Sequence, residues 1–214
     1  MMLFNYKLYL VTDQRACLHH DFFQVVEAAV KGGVDLVQIR EKELDEKDFC
    51  SKALKLKELL DRYQVPLIIN DSLPVAKQIN GTGLHVGNSD LLPVFARQHL
   101  PECAILGYSL ENLQQLTSMN ANIADYIALS PVFSTPTKTN TITEWGLAGI
   151  RQVRQLTKKP LVAIGNINSG NARAVIRAGA DCLAVVSDIC SAKDPERAAA
   201  TIRNEIEKAT GYEL

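Results

Sequence analysis

Four joints in the chain share one pattern: a turn bearing glycine or asparagine, then a short apolar run, with aspartate just before the run in three of the four. They are GGVDLVQ from Gly32, NGTGLHV from Asn80, NIADYIAL from Asn122 and AGADCLAV from Ala178. Each reads as a helix end followed by a strand, because glycine accepts backbone angles other residues resist and the apolar runs are short. Recurrence of such joints restricts the chain to alternating helices and strands around a parallel sheet.

The remaining segments fill the same scheme. Strands are expected at Lys7–Thr12, Leu36–Ile39, 65–71 (VPLIIND), Gly83–Val86, Ala104–Tyr108, Asp125–Leu129, Pro160–Ile164 and Asp181–Val186. Between them, helical spacing runs from Phe22 to Val30 behind an Asp21 cap, then over Asp45–Tyr63, Leu73–Ile79, Asp90–His99, Leu110–Ser118 with Ser109 as cap, Leu147–Leu156, Asn171–Arg177 and Asp194–Ala209. Strand and helix alternating eight times, about every 25 residues, make a single (β/α)8 TIM barrel over residues 1–214. An open doubly wound sheet is the rival, but its G-x-G-x-x-G mark after the first strand is absent.

Composition bounds the function. A length of 214 residues suits one α/β domain, and a net charge of -1 argues against a general nucleic-acid or membrane-surface binder. No apolar run reaches the roughly 18 residues of a membrane span, and Met1–Tyr9 lacks the order of a secretory signal, so a cytoplasmic protein is expected. The five cysteines are scattered without C-x-x-C spacing, which favours reduced thiols. None of the four histidines forms a helical i, i+4 pair suited to zinc.

In a barrel the carboxyl ends of the strands converge on one mouth. Here they carry Thr12-Asp13, Gln38 with Arg40 and Lys42, Asn70-Asp71, His85, Ser109, Ser130, Gly165-Asn166 and Val186-Ser187. Arg40 and Lys42, two apart, project to one side and form an anion clamp; a solvated helix start is the plainer alternative. Asp71 and Asp90 are candidate ligands for Mg2+, which takes hard oxygens and often completes its shell with substrate phosphate. Each could instead cap the helix that follows. The connection from Ser130 to about Gly146 is long and rich in threonine, with Lys138 as a cation suited to phosphate. Gly165 and Val186-Ser187 close the seventh and eighth strands, where this fold often binds phosphate through backbone N–H groups.

With these residues in view, the chain resembles the thiamine phosphate synthase family from Tyr9 to about Ala199. QIREK, IIND, LHVGNSD, GYS, SPVFSTPTK, AIGNI and VVSDI follow that family's motifs in order. The resemblance implies an enzyme that joins 4-amino-5-hydroxymethyl-2-methylpyrimidine diphosphate to thiazole phosphate, releasing diphosphate, with small-molecule substrates and no nucleic-acid or membrane partner. It implies that Gln38, Arg40, Lys42, Asn70, Ser109 and Lys138 bind the pyrimidine diphosphate and that Asp71 and Asp90 hold Mg2+. Thr135, Pro136, Thr137, Gly165, Val186 and Ser187 would receive the thiazole phosphate. Arg40, Lys42, Lys138 and Ser109 are the implied catalytic set. Ile39 and Glu41 go with the QIREK segment as substrate-binding, Glu41 without a catalytic role. Two departures stand out: Asn166 replaces a second glycine, and Asn88-Ser89 replaces a glutamine-containing turn. A thiazole tautomerase relative carries histidine where this chain has Pro131, and a non-catalytic phosphate sensor would be expected to lose Asp71 and Asp90. A homo-oligomer is compatible with the sequence.

Overall fold

The computed structural model describes residues 4–18, 20–88, 90–101, 104–135 and 143–211. Its strands are β1 (Leu8–Val11), β2 (Leu36–Ile39), β3 (Leu67–Asn70), β4 (Gly83–Val86), β5 (Leu106–Leu110), β6 (Tyr126–Leu129), β7 (Leu161–Ile164) and β8 (Cys182–Val185). They pair in parallel in chain order and close through β1 and β8, giving the expected (β/α)8 barrel. Around it lie α1 (Phe22–Lys31), α2 (Glu46–Asp61), α3 (Leu73–Gln78), α4 (Pro93–His99), α5 (Met119–Ile123), α6 (Gly146–Leu156), α7 (Ala172–Arg177), a one-turn α8 (Ser187–Cys190) and α9 (Pro195–Thr210). None of the described helices is long and apolar enough to cross a membrane.

Because strand side chains alternate in direction, the barrel sorts each strand into two sets. Leu10, Ile39, Ile69, Leu84, Ile127, Leu161 and Leu183 pack with α1, α2, α6 and α9 in the large core between sheet and helices. Tyr9, Val11, Leu36, Ile68, Tyr126, Ala128, Val162 and Ala184 form a separate inner cluster. Helices α1, α2 and α9 start where aspartate caps them: Asp21, Asp45 and Asp194 accept from the backbone N–H of Gln24, Asp48 and Arg197.

The aspartates that precede strands have a defined task. Asp35 accepts from the backbone N–H of Lys7 and Leu8 at 3.0 Å, Asp125 from Leu106 at 2.8 Å and Asp181 from Leu161 at 2.8 Å. Each carboxylate thus secures the start of the preceding strand, and each also holds an arginine: Arg203, Arg97 and Arg154. These clasps lie at the end of the barrel opposite the mouth, where residues serve stability. Replacing Asp35 with alanine is expected to lower the free energy of unfolding by about 1–3 kcal/mol, mostly by leaving strand N–H groups without an acceptor. Urea denaturation checks this, and an unchanged midpoint would contradict it.

Three sequence expectations need correction. Strand β5 begins at Leu106, where Asp125 takes its N–H, and runs through Leu110, so Ser109 lies inside the strand and caps nothing. The following 3-10 turn, Leu113–Thr117, is capped by Asn112, and α5 by Ser118. Helix α4 starts at Pro93 behind an uncapped Leu92, not at Asp90. Its first turn is set by proline, whose fixed φ and missing N–H suit that position.

Candidate active site

At the carboxyl ends of the strands opens a cavity of about 530 Å³. Thr12, Asp13, Gln38, Arg40, Lys42, Asn70, Asp71, His85, Asp90, Ser109, Ser130, Thr135, Gly165, Asn166, Val186 and Ser187 all line it. Pro136, Thr137 and Lys138 lie outside the described residues. Ile39 and Glu41 do not line it. Their alternation phase is that of the outward set: Ile39 is wholly buried in the large core, and Glu41 binds Lys52 Nζ at 2.5 Å. Lys52 in turn reaches Gln14 at 2.6 Å and sits 3.9 Å above the Phe22 ring, so Glu41 ties the β2 loop to three neighbouring elements. That tie leaves Arg40 and Lys42, in the opposite phase, to face the cavity.

The capping alternatives for both metal candidates fail. Helix α3 is capped by Ser72, whose Oγ accepts from Val75 N, while Asp71 Oδ2 accepts from Lys42 Nζ and Asn70 Nδ2. Asp90 turns back to accept from Gly87 N at 2.8 Å. The two carboxylates face each other closely enough that burial, then hydrogen bonding to Asp71 and its charge, push the Asp90 carboxyl above its ordinary range. Two adjacent hard-oxygen donors beside a cation suit a divalent ion whose shell a phosphate substrate completes. Among the described residues no group of three or more His, Cys, Asp or Glu gathers closely enough to hold a metal ion.

Across the mouth, the β7 end is shaped by glycine. Gly165 has φ +111, and a Cβ there would lie 2.5 Å from Pro131 Cβ and 2.8 Å from Pro131 Cα. Val132 N donates to Ile164 O at 2.7 Å and Phe133 N to Gly165 O at 3.3 Å. The long connection after β6 is therefore stitched at its base to the end of β7, and only glycine permits that approach. β8 passes straight into α8, which sets Ser187 beside Gly165 on the rim of the same cavity, two strands from Arg40 and Lys42 around the barrel.

A sequence profile described as thiamine monophosphate synthase matches residues 8–189. The chain belongs to the thiamine monophosphate synthase family. A protein of Albidiferax ferrireducens named thiamine-phosphate synthase is 49% identical over 201 residues, covering 94% of this chain and 92% of its own. One of Leptospira biflexa with the same name is 48% identical over 202 residues, covering 92% and 96%. The solved structure of a thiamine phosphate pyrophosphorylase from Pyrococcus furiosus superposes with a TM-score of 0.86 at 30% identity, covering 96% of this chain and 97% of that one.

Of the residues that depart from the family motifs, Asn166 and Asn88 are accommodated locally, and Ser89 lies outside the described residues. Asn166 adopts φ 50, a left-handed conformation that asparagine tolerates, and its carbonyl accepts from Asn171 Nδ2 at 2.8 Å. Asn88 is fixed to β5 and the turn beyond it by Tyr108 OH and Gln115 Nε2, and it donates to Ser109 O at 3.3 Å. Asn88, in the sequence no more than a departure from the family motif, lines the cavity. Tyr9, Ala128, Val162 and Ala184 also line it, although none is a candidate from the motifs. The alternation that places Gln38 inward carries over to each strand, and it was the signal that could have found them.

Proposed function

We propose that this chain is a transferase that joins 4-amino-5-hydroxymethyl-2-methylpyrimidine diphosphate to thiazole phosphate, giving thiamine phosphate and diphosphate. The observation that carries this reading is one cavity with two poles, each suited to an anion: Arg40 and Lys42 with Asp71 and Asp90 beyond β2 to β4, and Gly165 and Ser187 beyond β7 and β8. Ala128, Val162 and Ala184, inward on β6, β7 and β8, add an apolar wall suited to flat heterocycles. Family membership supports the reaction class.

In this reading Arg40 and Lys42 hold the diphosphate, with Lys138 joining them, and Asn70 and Ser109 orient it. Asp71 and Asp90 would hold Mg2+, which when bound supplies positive charge to the diphosphate oxygens. The cationic side chains stabilise charge as it develops on the departing diphosphate, and the aminopyrimidine carries the resulting benzyl-like cation. The thiazole nitrogen then attacks the exocyclic methylene, forming the C–N bond after the C–O bond has broken. No general base is needed to generate the nucleophile, in keeping with a mouth rich in cations and hydroxyls. Gly165, Val186 and Ser187, with Thr135, Pro136 and Thr137, receive the thiazole phosphate. The enzyme works in the cytoplasm on small molecules, and its near-neutral charge of -1 does not suit a general nucleic-acid or membrane-surface partner.

Diphosphate release tests the proposal. With Mg2+ present, sustained release is expected only when both substrates are supplied, in equal amount with thiamine phosphate. Sustained release from the pyrimidine diphosphate alone, or none with both, would contradict it. Tautomerase chemistry is disfavoured because Pro131 occupies the histidine position and packs against Gly165.

A further inference from the structure

Beneath the cavity, five side chains from five strands form one continuous hydrogen-bonded chain. Gln38 Nε2 donates to Tyr9 OH at 2.6 Å, Tyr9 OH meets Tyr126 OH at 3.0 Å, Tyr126 OH meets His85 Nδ1 at 2.8 Å, and His85 Nε2 meets Ser109 Oγ at 2.8 Å. The members are 4%, 1%, 0%, 8% and 8% exposed in that order. Gln38, Tyr9, His85 and Ser109 line the cavity, whereas Tyr126 does not. The Tyr126 ring stacks on His85 with centroids 5.5 Å apart at 20°. Room for this contact depends on Gly107, where a Cβ would lie 2.1 Å from Tyr126 Cζ and 2.4 Å from His85 Nδ1.

The direction of the chain follows from counting protons. An amide nitrogen only donates, so the Tyr9 oxygen accepts from Gln38 and its own proton goes to Tyr126. Tyr126, having accepted, gives its proton to Nδ1, and an accepting Nδ1 places the ring proton on Nε2. Ser109 then accepts from Nε2, and its hydroxyl proton is left to point into the cavity. At the other end Gln38, its NH2 committed to Tyr9, presents its carbonyl oxygen. With Gln38 Nε2 fixed as a donor, reversing any later link would bury a proton against another donor. Burial raises both phenols, Tyr126 well above the ordinary tyrosine value, and keeps their protons in place.

We infer that Tyr126, which does not line the cavity, is a positioning residue: through Tyr9 and His85 it fixes the cavity floor with an acceptor at Gln38 and a donor at Ser109. A ligand edge that donates near Gln38 and accepts near Ser109 matches this floor, and an aminopyrimidine bearing a diphosphate does so. The choice of ligand rests on the proposed function; the relay itself rests on the geometry.

The test uses the full chain labelled with 15N-histidine, the His85 ring signals being assigned by their loss in His85→Gln. Wild-type His85 is expected as a single tautomer protonated at Nε2. Tyr126→Phe should move it toward a tautomer mixture and raise KM for the pyrimidine diphosphate about tenfold, the equivalent of one neutral hydrogen bond, with KM for thiazole phosphate within about twofold. Tyr9→Phe cuts the relay on the other side, so KM for the pyrimidine diphosphate should rise while the tautomer stays. A wild-type ring protonated at Nδ1 would overturn the inference, as would a Tyr126→Phe protein in which either the tautomer or that KM is unchanged. The tautomer arm needs no substrate, so absence of thiamine phosphate formation by the wild type would sink the proposed function alone.

Discussion

Replacing Asp71 with asparagine is expected to lower kcat/KM by about 100-fold or more and to raise the Mg2+ concentration needed for half-maximal rate, with the fold intact. Asp71 sits at φ 62, where asparagine is tolerated, so the substitution removes charge with little added backbone strain. Alanine would confound the two effects. The neutral amide leaves Lys42 without its carboxylate partner and Asp90 as the sole charged ligand candidate at that lip. Steady-state rates across a Mg2+ series distinguish a ligand from a mere partner of Lys42. A ligand loss is partly relieved by excess Mg2+, whereas loss of the ion pair alone is not. Full activity of Asp71→Asn with Mg2+ as the only metal would remove Asp71 from the metal site.

The second large effect is expected from Gly165→Ala. Its φ of +111 is strained for any residue with a Cβ, and that Cβ would meet Pro131 backbone at 2.8 Å and Val132 N at 3.0 Å. Backbone strain and overpacking together should cost about 2–4 kcal/mol of stability. Because the contact joins the β7 end to the long connection after β6, relief of the clash must move one lip of the cavity. KM for thiazole phosphate should therefore rise about tenfold or more, with a smaller change for the pyrimidine diphosphate. Thermal unfolding and the two KM values check this; a variant with wild-type Tm and KM would show that the lip tolerates a Cβ.

Much of the barrel was legible because β-strand ends carry their own punctuation. Gly32-Gly33 and Asp35 mark the passage into β2, and the structure shows why the aspartate is there: it accepts from the first N–H groups of β1. The Ser109 assignment failed for a related reason. Where β5 starts depends on Asp125, a residue 19 positions beyond Leu106, so local cap chemistry at Ser109 was outweighed by pairing across the sheet. Asp71 and Asp90 could be read as caps or ligands from spacing alone, and the capping reading falls only once Ser72 and Leu92 are seen at the starts of α3 and α4. Likewise nothing local in DYIAL links Tyr126 to His85, since that contact spans 41 residues and depends on a glycine in a third strand.

The central claim is that the two poles of this cavity bring two heterocycles together for C–N bond formation. Mass-spectrometric detection of thiamine phosphate, with the purified protein, both substrates and Mg2+, tests it most directly. Product is expected to accumulate over many turnovers with the wild type, to fall about 100-fold or more with Asp71→Asn and to be absent when either substrate is omitted. No thiamine phosphate from the wild type with both substrates and Mg2+ would contradict the claim.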